Sequence, residues 1–123
     1  MKPIPTYRSI IGLKCPKCRK GELFEKPGLF RFKDVLLMPE RCSVCQQKYL
    51  IEPGFWIGSL WTSYPIIVLI ELPFLLTAVN YEGINIWACF GLMLVAFAVF
   101  FPLMLRVGRS IWIHIFIRYA PID

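Results

Sequence analysis

The chain has 123 residues, 57% of them hydrophobic, and a formal net charge of +6. That length leaves room for one compact unit rather than several domains. With one histidine, no GxSxG and no HExxH, it lacks any nucleophile–base constellation, so no enzyme activity is expected. Charge is unevenly placed: residues 1–55 hold eleven Lys/Arg against five acids, residues 56–123 three against three.

The first stretch, Met1 to Lys14, reads as irregular; Pro3 and Pro5 break it, and no apolar run of signal-peptide length is seen. Cys15-Pro16-Lys17-Cys18 and Cys42-Ser43-Val44-Cys45 then form two CxxC pairs with 23 residues between them. A two-residue gap lets both sulfurs of a pair turn inward on one tight knuckle. Four thiolates suit a tetrahedral zinc ion, and a shell filled by Cys15, Cys18, Cys42 and Cys45 leaves no position for a catalytic water. One structural zinc ion per chain is therefore expected. An iron–sulfur centre takes the same ligands and stays open as an alternative, as does a redox pair. Disulfides are not expected on a reducing cytoplasmic side.

Between the knuckles, Leu23-Phe24 and Leu29-Phe30-Arg31-Phe32 look like short β runs, broken by the turn signal Pro27-Gly28. Residues 1–54 are thus expected to form a small zinc-ribbon-like β domain. About 40 residues rarely hold together without a staple, and the metal would be that staple. Lys14, Lys17, Arg19 and Lys20 cluster near Phe24, Phe30 and Phe32, a mixture also found in single-strand binders. Beside a membrane anchor, anionic headgroups account for it without a nucleic-acid partner. No small-molecule substrate is expected either.

The rest of the chain is organised by two apolar runs, residues 55–79 and 84–105; the second has no charged residue. A hydrocarbon core about 30 Å thick needs about 20 helical residues, and only helices or closed barrels satisfy the backbone in lipid. The expectation is a two-helix transmembrane hairpin. Phe55, Trp56, Trp61 and Tyr64 form an aromatic belt at its mouth. Ser59, Thr62 and Ser63 share a face where helices can approach and bond. The turn after the first run carries no Lys or Arg, whereas Arg106 and Arg109 follow the second. The excess of positive charge on cytoplasmic loops then puts both termini inside.

Glu71 stands about two thirds of the way along the first span. An intramembrane carboxyl is a functional candidate by default, for a proton, a cation or a partner subunit. The plainer reading is a protonated structural carboxyl facing Cys89 to Leu92 on the second helix. Cys89, unpaired in an apolar run, reads as a small hydrophobe. After Leu105, Arg106, Ser110, His114 and Arg118 recur every four residues, with Arg109 beside them. Residues 106–123 are expected to lie in the headgroup plane as an amphipathic helix, with Arg106, Arg109 and Arg118 at the membrane surface. His114 reads as a surface or interface histidine.

The runs CPKCRKGELF, MPERCSVC and EPGFWIGSLWTSY together resemble the bacterial family catalogued as domain of unknown function 983. The resemblance covers about residues 15–105. It implies a two-span inner-membrane protein with a cytoplasmic zinc-ribbon-like segment, and it implies no activity. It also suggests a link to haem–copper oxidases or another respiratory complex, hence an accessory or assembly subunit among other membrane-protein subunits and lipids. A redox carrier and a small oligomeric transporter built on Glu71 are the alternatives. Arg19 and Gln46 depart from the family pattern: each follows a knuckle where glycine is usual, and glycine eases a positive φ.

Overall fold

The computed structural model describes residues 4–26, 28–30 and 32–121. Pro3, Pro27 and Arg31, which enter the readings above, lie outside the described residues. Among the described residues three α-helices follow one another: α1 (Thr6–Ile11), α2 (Ser59–Asn80) and α3 (Ile86–Phe116), with a 3-10 turn at Phe55–Ile57 ahead of α2.

The two apolar runs form an antiparallel helical hairpin. Pro65 and Pro73 lie inside α2 and Pro102 inside α3 without ending either helix. Gly54, at φ 78°, makes the left-handed step that turns the chain from the cysteine module into α2. At the far end Gly83 makes a similar step, and the Asn85 side chain caps α3 by accepting from the Trp87 N–H at 3.0 Å. Both helices are long and apolar enough to cross a membrane.

Side chains fix the register. Ser63 Oγ donates to the Met104 carbonyl at 3.4 Å, and Cys89 Sγ lies 3.4 Å from the Phe74 carbonyl. Thr62 Oγ1 lies 2.7 Å from Gly108 O and 2.8 Å from Ser59 O, so one proton serves both carbonyls. The hydroxyls thus bond across the helices as their spacing predicts. Gly108 permits this approach, because a Cβ there would overlap Ser63 Oγ. Interpolating between these bonds sets Glu71 level with Met93, just past the expected Cys89–Leu92.

Three expectations change. The first 14 residues are not wholly irregular, since α1 forms and docks on α3. Ser110 Oγ donates to the Ile10 carbonyl at 2.9 Å, and Ser9 Oγ meets His114 Nε2 at 3.0 Å. Strands are absent among the described residues; the β character reduces to isolated bridges, Lys14 with Glu22 and Arg41 with Lys48. The C-terminal stretch is not a separate interfacial helix. It continues the second span as one 31-residue helix, ending only at Phe116. No proline interrupts it before Pro121, and Arg106, Ser110 and His114 find partners on the N-terminal segment instead of at a headgroup surface.

The cysteine module therefore sits at one end of the hairpin, beside the start of α2 and the last turns of α3. Its core is Leu13, Leu23, Phe24 and Tyr49 around the cysteines, and Ile113 of α3 completes it. A unit too small to bury its own core borrows a helix from the span.

Candidate metal centre

Two knuckles of matching construction present the four cysteines. In the first, the Arg19 N–H bonds the Cys15 carbonyl at 2.9 Å and the Cys15 N–H bonds the Gly21 carbonyl at 2.8 Å. In the second, the Gln46 N–H bonds the Cys42 carbonyl at 3.0 Å and the Cys42 N–H bonds the Gln47 carbonyl at 2.9 Å. Each loop closes only if the residue after the second cysteine turns left-handed. Arg19 does so at φ 57° and Gln46 at φ 58°, the strain expected where glycine is replaced. Arg19 recovers some of that cost: its guanidinium donates to Thr6 Oγ1 at 2.8 Å and to the Ile4 carbonyl, and stacks 4.2 Å from the Tyr119 ring centre.

The knuckles face each other. Cys15 Sγ is 3.7 Å from Cys45 Sγ, Cys18 Sγ is 3.8 Å from Cys42 Sγ, and all four sulfurs lie within 4.8 Å of one another. Sulfurs about 2.3 Å from a common centre define a tetrahedron with edges of about 3.8 Å. The donor set thus fits one four-coordinate metal ion. Gly21 is required by this approach, since a Cβ there would run into Cys42 Sγ. Cys15, Cys18 and Cys42 are buried and Cys45 is partly so.

The electrostatics fit a cation as well. Burial pushes the Cys15 thiol up to about 12, despite N–H groups of Cys18 and Lys17 pointing at it. Burial also pushes Cys42 upward, but hydrogen bonds from the Cys45 and Val44 N–H groups and from Tyr49 outweigh it and hold the thiol at about 6. Burial raises Cys45 too. Four thiolates at this separation need a central positive charge to share the cavity. Tyr49 is the residue the sequence reading missed: fully buried, it bonds the Glu22 carbonyl at 2.9 Å and faces both Cys15 and Cys42. The only sequence signal is an aromatic four positions after Cys45.

The remaining candidates are spread along the hairpin. Arg106, expected at the membrane surface, is instead fully buried. Its guanidinium donates to the carbonyls of Lys26 at 2.9 Å, Asp34 at 2.6 Å, and Gly28, and lies 4.7 Å from the Phe24 ring centre. It ties the loop between the knuckles to α3. Arg109 is partly buried at the mouth, 5.0 Å from the Trp56 ring centre, with one nitrogen 3.4 Å from Met38 Sδ. Arg118 lies past the end of α3 and is exposed. Glu71 is far from all of these, and both its carboxyl oxygens are buried without a hydrogen-bond partner. His114 is an interface residue: Nδ1 lies 2.6 Å from the Ser110 carbonyl, leaving Nε2 to accept from Ser9 Oγ.

No curated protein and no solved structure matches this chain. The family described as "Protein of unknown function (DUF983)" matches residues 32–116, taking in the second knuckle and both long helices. The first knuckle precedes the matched stretch, and its sulfurs join the second's at one centre. The chain, with two helices able to span a membrane and a four-cysteine site able to hold a metal, belongs to this family of unknown function.

Proposed function

We propose that the protein is a non-enzymatic, zinc-binding accessory or assembly subunit of a larger bacterial inner-membrane complex. The observation that carries this reading is a four-sulfur shell closed over by its own fold, next to a hairpin whose outer faces are bare. A filled, buried shell has no position for substrate, which supports a structural role. The sulfur edges of 3.7 and 3.8 Å suit a single ion; a multi-iron cluster spreads its thiolates over different irons. Zinc is the divalent ion this ligand set favours.

Trp61 (80% exposed), Leu69 (70%) and Trp87 (78%) present apolar surface to lipid or to neighbouring helices. The net positive module lies at the same end as the last turns of α3, which supports cytoplasmic termini by the positive-inside rule. A respiratory partner, such as a haem–copper oxidase, is supported by the family resemblance.

Purification in mild detergent tests the reading. One tightly held zinc per chain, no visible absorption, and co-isolation with other membrane subunits are expected. A coloured, redox-active centre or a free monomer overturns it. A second reading, an oligomeric path for protons or cations, is favoured by the unpartnered carboxyl of Glu71. Glu71→Gln with unchanged flux across reconstituted vesicles removes it.

A further inference from the structure

A cation at the mouth of the hairpin lacks an anionic partner. Among the described residues no carboxylate or carbonyl accepts from Arg109; its guanidinium meets only the Met38 thioether and the Trp56 ring. A thioether is a weak acceptor, and an indole face offers no formal charge. Arg109 also lines an open cavity of about 230 Å³ together with Leu36, Trp56, Ile57, Leu60 and Leu105. Ile57 and Leu60 continue into a second apolar cavity of about 390 Å³ that Trp61 and Tyr64 complete along α2. The surface is thus a greasy trough flanked by one unneutralised cation.

Depth identifies what fits. Residues 86–105 of α3 rise about 30 Å, the thickness of a hydrocarbon core. Arg109 lies about 6 Å farther along the axis, within the headgroup layer. Thr62 stands level with Gly108 and Ser63 with Met104, so Leu60 and Trp61 lie at the depth of Arg109 and Tyr64 at the hydrocarbon boundary, and the trough leads from the headgroup layer down to that edge. We propose that this trough is a binding site for one anionic phospholipid, its phosphate on the Arg109 guanidinium and an acyl chain over Leu60, Trp61 and Tyr64. Guanidinium matches a phosphate oxygen pair in a way a lysine would not. The site rests on the membrane reading but not on the identity of the metal or the partner complex.

The test is native mass spectrometry on the full detergent-purified chain, titrated with phosphatidylglycerol and phosphatidylcholine of identical acyl chains, and separately with inorganic phosphate. One phosphatidylglycerol is expected to be retained with about tenfold preference, and Arg109→Gln is expected to erase that preference. Arg109→Lys keeps part of it, and Arg118→Gln leaves it intact. Leu60→Trp, a lipid-facing change that leaves Arg109 in place, weakens retention of both lipids by filling the trough. Equal retention of the two lipids, or an unchanged preference in Arg109→Gln, overturns the proposal. Displacement of the lipid by millimolar inorganic phosphate overturns it in favour of a free-anion site. Failure of the chain to enter vesicles of either lipid overturns the membrane reading itself, whereas entry without preference overturns only this site.

Discussion

The two halves of α3 share one helix, wholly apolar in the first half and apolar with a polar stripe in the second, and they are held in different ways. Toward the turn, Trp87 is 78% exposed and Val95 60%, with α2 covering only one face. Toward the cysteine module, Arg106, Ser110 and Ile113 are all fully buried. The first half depends on a surrounding apolar solvent; the second depends on a protein cover stapled by four sulfurs and one arginine. Apolar composition therefore states that a helix will be covered, and leaves open by what.

The sharpest way to break the pair of halves is at the sulfurs. Stripping the metal, or Cys15→Ser, should unfold the module, since structural zinc sites contribute about 10–16 kcal/mol in small domains. Protease cleavage between the knuckles should rise while helical circular dichroism from the hairpin persists. Simultaneous loss of both would show that the halves are one cooperative unit. Next comes Arg106→Leu, which strands three carbonyls at about 1–3 kcal/mol each. Hydrogen exchange in residues 26–36 should accelerate sharply, and an unchanged rate would deny Arg106 its tying role.

A smaller effect is expected inside the covered half, where it meets α2. Gly108→Ala pushes a methyl against Ser63 and should cost about 1–3 kcal/mol in detergent unfolding. Adding Ser63→Ala should recover part of it; strict additivity would place the clash elsewhere. Acid acts on the covered half through its sulfurs. While the module is folded the Cys42 thiol is held at about 6, below its ordinary 9.0, so its contribution is present above 9.0 and is lost as pH falls through about 6. Loss of the metal and protease cleavage between the knuckles should therefore come only below about pH 6, and opening well above that value would deny Cys42 its lowered value. The least effect belongs to Glu71→Gln, which breaks no hydrogen bond in the hairpin and should shift stability by less than about 1 kcal/mol. A large loss would reveal a partner for that carboxyl in the intact membrane.

Much of this is legible in the residues alone. Run length and the absence of charge identify the hairpin because lipid tolerates few alternatives. The CxxC spacing identifies the ligand set because tetrahedral geometry tolerates few others. Even the left-handed turns at Arg19 and Gln46 follow from the knuckle. The covered half was harder. The four-residue recurrence of Arg106, Ser110 and His114 correctly marks a polar stripe, but headgroups and backbone carbonyls are both partners for such a stripe. Here Ser110 meets Ile10, His114 meets Ser9, and Arg106 meets the loop between the knuckles. Periodicity names the face and not its occupant. Short runs of Phe and Leu overstate strand because they suit a pleat as well as they suit a loop pinned at both ends by cysteine knuckles.

The continuity of α3 has a mechanical consequence. A rod of 31 residues, about 46 Å long, carries both the lipid-facing surface and the wall of the sulfur cage. Spans tilt when bilayer thickness departs from their apolar length. Because one continuous helix joins the two ends of the rod, a change of tilt in a thinner or thicker membrane would swing the cage relative to the bilayer plane, converting membrane thickness into the height of the cage above that plane.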